Sequence, residues 1–135
     1  MSNFIKSYQA NVGLNHVPAY QVSGQPFATG SIVATEAVKV EFPYVTRWIY
    51  VKNNGSDDCR LGFSRNGVEN SNFVTIHHTH TNQLDGHSLV FDLKVSEIWL
   101  SGSADVDVLA GLTSIPASRT TTDSGPSWSG SAGVG

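Results

Sequence analysis

Residues 38–51 read VKVEFPYVTRWIYV. Val38, Val40 and Phe42 alternate with Lys39 and Glu41, the period-two pattern of a strand with one buried face and one wet face. Pro43 breaks that ladder. Beyond it, Val45, Ile49 and Val51 fall on one face and Trp48 and Tyr50 on the other. Both faces of this second strand are therefore apolar or aromatic, which places it centrally or under a contact.

The same reading extends in both directions. Residues 53–58 form a loop whose Asn54–Gly55 pair suits a tight turn. Cys59, Leu61 and Phe63 share one face of a returning strand, and Asn66–Gly67 turns the chain again. Residues 73–80 form a strand, and Asp85–Gly86 makes another turn. Leu89, Phe91 and Leu93 alternate with Val90, Asp92 and Lys94. Residues 97–100 carry Trp99, and Val106, Val108, Ala110 and Leu112 alternate with Asp105, Asp107 and Leu109. Upstream, residues 17–22 read as a strand candidate interrupted by Pro18, and Gly24–Gln25–Pro26 and Thr29–Gly30 as turns. Helical periodicity is nearly absent, with one turn at most near Thr35–Val38.

The expectation is an all-β, antiparallel, eight-stranded sandwich, with strands at a spacing of about 8–12 residues. Eight antiparallel strands around one core is the jelly-roll count. An immunoglobulin-like sandwich is the rival, but its paired-cysteine hallmark is excluded by a single cysteine, Cys59. Val40, Phe42, Ile49, Val51, Leu61, Phe63, Phe91, Leu93, Val106 and Val108 are expected inside. The expected organisation is an N-terminal arm at 1–16, a jelly-roll body at 17–115 and a Ser/Gly-rich tail at 116–135.

Composition limits the function. The chain has 135 residues, a net charge of −3 and 39% apolar residues. No basic face is visible, so direct nucleic-acid binding is not expected. No stretch is long and apolar enough for a membrane span, and the N-terminus has no apolar signal region. One cysteine excludes an intrachain disulfide.

Histidine is the most chemical-looking residue. His77, His78, His80 and His87 lie within eleven residues. His78 and His80 share a strand face, which is how cupin sandwiches present two metal ligands, with Asp85 near the spacing of a carboxylate. The glycines and the second half of the cupin pattern are missing, so no bound metal and no cofactor are expected. His78 and His80 are assigned instead to a subunit contact.

No catalytic role is expected. The chain has no nucleophile elbow, phosphate loop or paired cysteines, and Asp57–Asp58 and Asp105/Asp107 suit a turn and a solvated face. Trp48, Trp99 and Tyr44 could make a sugar platform, although such residues are more often core or interface anchors. Of the last 20 residues, 12 are Ser, Thr or Gly, and Trp128 stands alone among them. Ordering each backbone residue costs roughly 1–2 kcal/mol, so this tail is expected to dock, with Trp128 as its anchor on another chain.

Four segments carry a resemblance: AYQVSGQPF at 19–27, VEFPYVTRW at 40–48, LKVSEIWLSG at 93–102 and AGLTSIPASR at 110–119. Together they resemble small virion proteins of large icosahedral double-stranded DNA viruses of the algal phycodnavirus kind. The resemblance spans most of residues 17–119. It implies a single jelly-roll penton or minor capsid protein, located in the virion after synthesis in the host cytoplasm. The implied partners are the chain itself as a homo-oligomer, with a pentamer as one form, and neighbouring major or minor capsid proteins. Two other readings stay open. One is a carbohydrate- or receptor-binding sandwich on a virion. The other is a cupin-like metal-binding protein using His78 and His80.

Overall fold

The computed structural model describes residues 14–15, 17–21, 24–78, 88–123 and 125–135. A short helix, α1 (Val17–Gln21), precedes β1 (Gln25–Ala34), β2 (Val38–Glu41), β3 (Tyr44–Asn53) and β4 (Cys59–Gly62). A second short helix, α2 (Arg65–Glu69), leads to β5 (Phe73–Ile76), β6 (Ser88–Phe91), β7 (Glu97–Ser101) and β8 (Ser103–Pro116). A single 3-10 turn (Ala117–Thr120) and two minimal strands, β9 (Thr121–Thr122) and β10 (Gly125–Pro126), complete the described chain.

The strands form two four-stranded antiparallel sheets. The first has the order β1-β8-β3-β6 and the second β2-β7-β4-β5, while β9 and β10 pair separately. One apolar cluster joins the sheets. Ile49, Val51, Val106 and Val108 enter it from the first sheet, and Val40, Leu61, Ile76, Ile98 and Leu100 from the second. This shared core makes the architecture an all-β sandwich, as the alternation at residues 38–51 requires.

Most residues expected inside are there. Phe63 and Phe91 are half-buried and pack edge-to-face, with ring centres 6.4 Å apart. Leu93 is the exception, 41% exposed. The ladder of β6 ends at Phe91, so the in–out alternation has no backbone to sustain it. Val95 is buried instead.

Three local readings need correction. Residues 17–21 are helical, because Pro18 falls in the first turn, where its missing N–H is no loss. Residues 25–34 are a strand despite Pro26 and Gly30. β1 is an edge strand, which tolerates proline. Gly30 falls where the pairing with β8 slips between Thr29 and Ile32, and the adjoining Ser31 has φ 55°. Finally, Asn66–Gly67 belongs to α2. Ser64 caps this helix, its hydroxyl accepting the Gly67 N–H at 2.9 Å.

Asn53 ties the sheets together at one end. Its side chain is fully buried. Its Nδ2 donates to the carbonyls of Asp57 at 2.7 Å and Ile76 at 3.1 Å. Its Oδ1 accepts from the Gly55 N–H at 3.0 Å and the Ser103 hydroxyl at 2.6 Å. Asn53→Ala would strand several buried polar groups, at about 1–3 kcal/mol each. Urea unfolding should show a loss on the order of 3 kcal/mol, and a near-neutral result would show that these bonds hold nothing together.

Candidate functional site

The C-terminal segment docks on its own domain. Trp128 packs against the main core cluster, and its indole N–H donates to the Phe63 carbonyl at 3.0 Å. The Ser64 hydroxyl, already capping α2, donates to the Val134 carbonyl at 2.8 Å. Gly67 lies directly beneath, where an added Cβ would come within 2.0 Å of that carbonyl. Thr120, also buried, shares a 2.5 Å hydrogen bond with Ser96. The sequence sends Trp128 to another chain, but a slot beside Phe63 satisfies its apolar ring and its N–H together. All of these docking partners flank the second sheet.

Only part of the histidine group falls among the described residues. His80, like His87 and Asp85, lies outside them. His77 and His78 follow β5 and converge on Asp58. The Asp58 Oδ1 accepts the His78 backbone N–H at 3.0 Å and stands 3.7 Å from His77 Nδ1 and 3.9 Å from His78 Nε2. A carboxylate satisfying a backbone donor at a strand end is an ordinary structural role. Among the described residues, no group of three or more His, Cys, Asp or Glu side chains is arranged to hold a metal ion.

Trp48, Trp99 and Tyr44 do not converge into one platform. Trp99 is held on the second sheet, where its indole donates to Glu97 at 2.8 Å and Lys39 Nζ lies 6.0 Å from its ring centre. Trp48 is on the first sheet, paired with Gly111. Cys59 is buried in the core, and burial pushes its thiol up to about 11. It is therefore a neutral packing residue at ordinary pH, not a nucleophile.

The outer face of the first sheet carries a feature that strand-by-strand reading missed. Val90 pairs with Tyr50, Tyr50 with Leu109, and Leu109 with Ala28. These residues make one apolar row across all four strands. Val90 is 67% and Leu109 37% exposed. Among the described residues, nothing covers the row. The signal was the aromatic second face of residues 48–50 together with Leu109 on the otherwise polar face of its strand. Register was needed to align them. No helix of the described residues is long and apolar enough to cross a membrane.

Two outcomes follow from this geometry. Trp128→Ala should destabilise the isolated chain by about 1–3 kcal/mol in thermal or urea melts, and an unchanged melt would show that the segment does not dock in cis. The Cys59 thiol ionises near 9 when unfolded and about 11 when folded. The neutral form is therefore favoured by folding, and stability should fall as pH rises from about 9 toward 11. Cys59→Ala should flatten this part of the profile. The sequence matches no protein-family model and no curated protein.

Proposed function

We propose that this chain is a jelly-roll structural protein of an icosahedral virion shell, a penton or minor capsid component that works by subunit contact rather than by catalysis. In a jelly roll, one long antiparallel ribbon is rolled up, so the first strand pairs with the last and the pairs nest inward. The pairs β1·β8, β2·β7, β3·β6 and β4·β5 follow that nesting. The virion assignment rests on the resemblance of residues 17–119 to small capsid proteins.

The observation that carries the assembly role is the bare apolar row Val90–Tyr50–Leu109–Ala28. Contiguous apolar surface left in water marks an interaction site. A flat sheet face suits symmetric contacts, which close into rings when the rotation between copies permits. In this reading the tail does not staple a neighbour. Trp128 fixes it against the second sheet, and the first sheet is left to meet other subunits. His77 and His78 lie at one edge of the body, where His78 keeps the contact role proposed for it.

Sedimentation and electron microscopy of the purified chain test the proposal. The expected result is a cyclic oligomer, with five-fold rings as the vertex form. Val90→Lys combined with Leu109→Lys should leave a monomer that melts normally, since exposed substitutions usually change stability by less than about 0.5 kcal/mol. A chain that stays monomeric at every concentration, or a double variant that still assembles, would overturn the assembly role.

A further inference from the structure

Among the described residues, a groove lies at the start of β3, away from Trp128 and His77. It encloses about 610 Å³ and is walled by α1, by Arg47 and Trp48, and by the segment Asp92–Lys94. This volume falls within the range of small-molecule sites, roughly 300–1,000 Å³.

A backbone irregularity builds it. Thr46 pairs with Leu112 and Trp48 with Gly111, so Arg47 is an extra residue in β3. The bulge breaks the in–out alternation. Val45 and Thr46 are both buried, whereas Arg47 and Trp48 are both half-exposed and both line the groove. Bulges commonly re-aim side chains in this way beside functional sites. Trp48 lies tight against Gly111, where an added Cβ would come within 2.3 Å of the indole nitrogen.

The other two walls are pinned to the same bulge. The Thr46 hydroxyl donates to the Leu93 carbonyl at 2.6 Å and accepts the Val95 N–H at 3.2 Å. The Thr46 N–H donates to the Val95 carbonyl at 2.9 Å. These bonds hold Asp92 and Lys94 opposite Trp48. Arg47 Nε donates to the Tyr20 carbonyl at 2.6 Å, and the Tyr20 hydroxyl donates to the Leu14 carbonyl at 2.7 Å. Lys94 Nζ reaches Asn15 Oδ1 at 3.3 Å and stands 6.0 Å from the Tyr20 ring centre.

We infer that this groove binds an acidic sugar, one that carries a carboxylate on its ring. Two cations, Arg47 and Lys94, face one carboxylate, Asp92. Among the described residues, neither cation has a carboxylate within ion-pair distance. An anion is therefore favoured, and the remaining donors of the Arg47 fork match a carboxylate. Trp48 offers an apolar aromatic surface for the C–H face of a sugar ring. Asp92 accepts hydrogen bonds from hydroxyl groups, which a sugar supplies. A nucleotide would bring a more highly charged phosphate toward the same Asp92. The inference goes beyond the assembly reading and requires no oligomer.

The test is NMR titration of the labelled chain with N-acetylneuraminic acid, glucuronic acid, glucose and AMP, each to the high millimolar range. The expected result is that one or both acidic sugars shift the Trp48 indole signal while glucose and AMP do not. Lys94→Ala removes a charge without touching the Thr46 or Arg47 pins, and should weaken binding about fivefold or more. Arg47→Lys should weaken it about tenfold, because it keeps the charge and loses the fork. If Arg47→Lys fails to fold, the Lys94→Ala result decides. The inference is overturned by no shift at Trp48 with either acid, by glucose or AMP binding as well as the acids, or by affinity unchanged in Lys94→Ala.

Discussion

The sandwich depends on a buried amide. Asn53 ends β3, in the first sheet, yet it bonds the Ile76 carbonyl at the end of β5, in the second. The hydrophobic driving force is non-directional, whereas a fully satisfied side-chain amide demands one arrangement. With all four of its bonds used, Asn53 fixes the loop after β3, the start of β8 and the distance between the sheets in one stroke. At the far end, Thr46 does a similar job, joining β3 to the crossing segment Leu93–Val95. Between these two polar joints, the apolar residues need only fill space.

The two outer faces have different fates. The second sheet receives the C-terminal segment, through Trp128, Ser64 and Thr120. The first keeps its Tyr50 row open among the described residues. The same strand, β3, supplies both the centre of that row and the bulge that turns Arg47 and Trp48 into the groove. The apolar row and the groove are thus neighbours on one strand, with Arg47 and Trp48 in the groove and Tyr50 in the row.

The sequence made the fold class legible, and particular residues show why. Alternation at Val38–Phe42 and Val106–Leu112 marks strands whose one face is buried, and such patterns survive without knowledge of partners. It misled where context overrides local preference. Pro26 and Gly30 looked like breakers, but an edge position and a bulge accommodate them. Leu93 kept the apolar rhythm after the hydrogen-bonded ladder had stopped. Trp128 stood out in a Ser/Gly-rich tail, but the slot beside Phe63 in which it packs is encoded by no local pattern. The groove was illegible for a similar reason. Arg47 and Trp48 share a side only because Thr46 and Trp48 pair with consecutive residues of β8.

Nesting of the pairs also sets an order in time. β4 and β5 meet across the short segment containing α2, whereas β1 must wait for β8, nearly the whole body later. Loop closure costs more as the intervening chain lengthens, and non-local pairing slows folding. The inner pair is thus the natural nucleus, and the sheets grow outward from it. Because β8 lies between β1 and β3, the first sheet is completed only when almost the last strand of the body is available. Until then, Tyr50 is paired only with Val90 of β6, and Leu109 and Ala28 have not yet extended the row. The chain therefore completes its exposed apolar row only when folding is nearly done, after it has a core of its own.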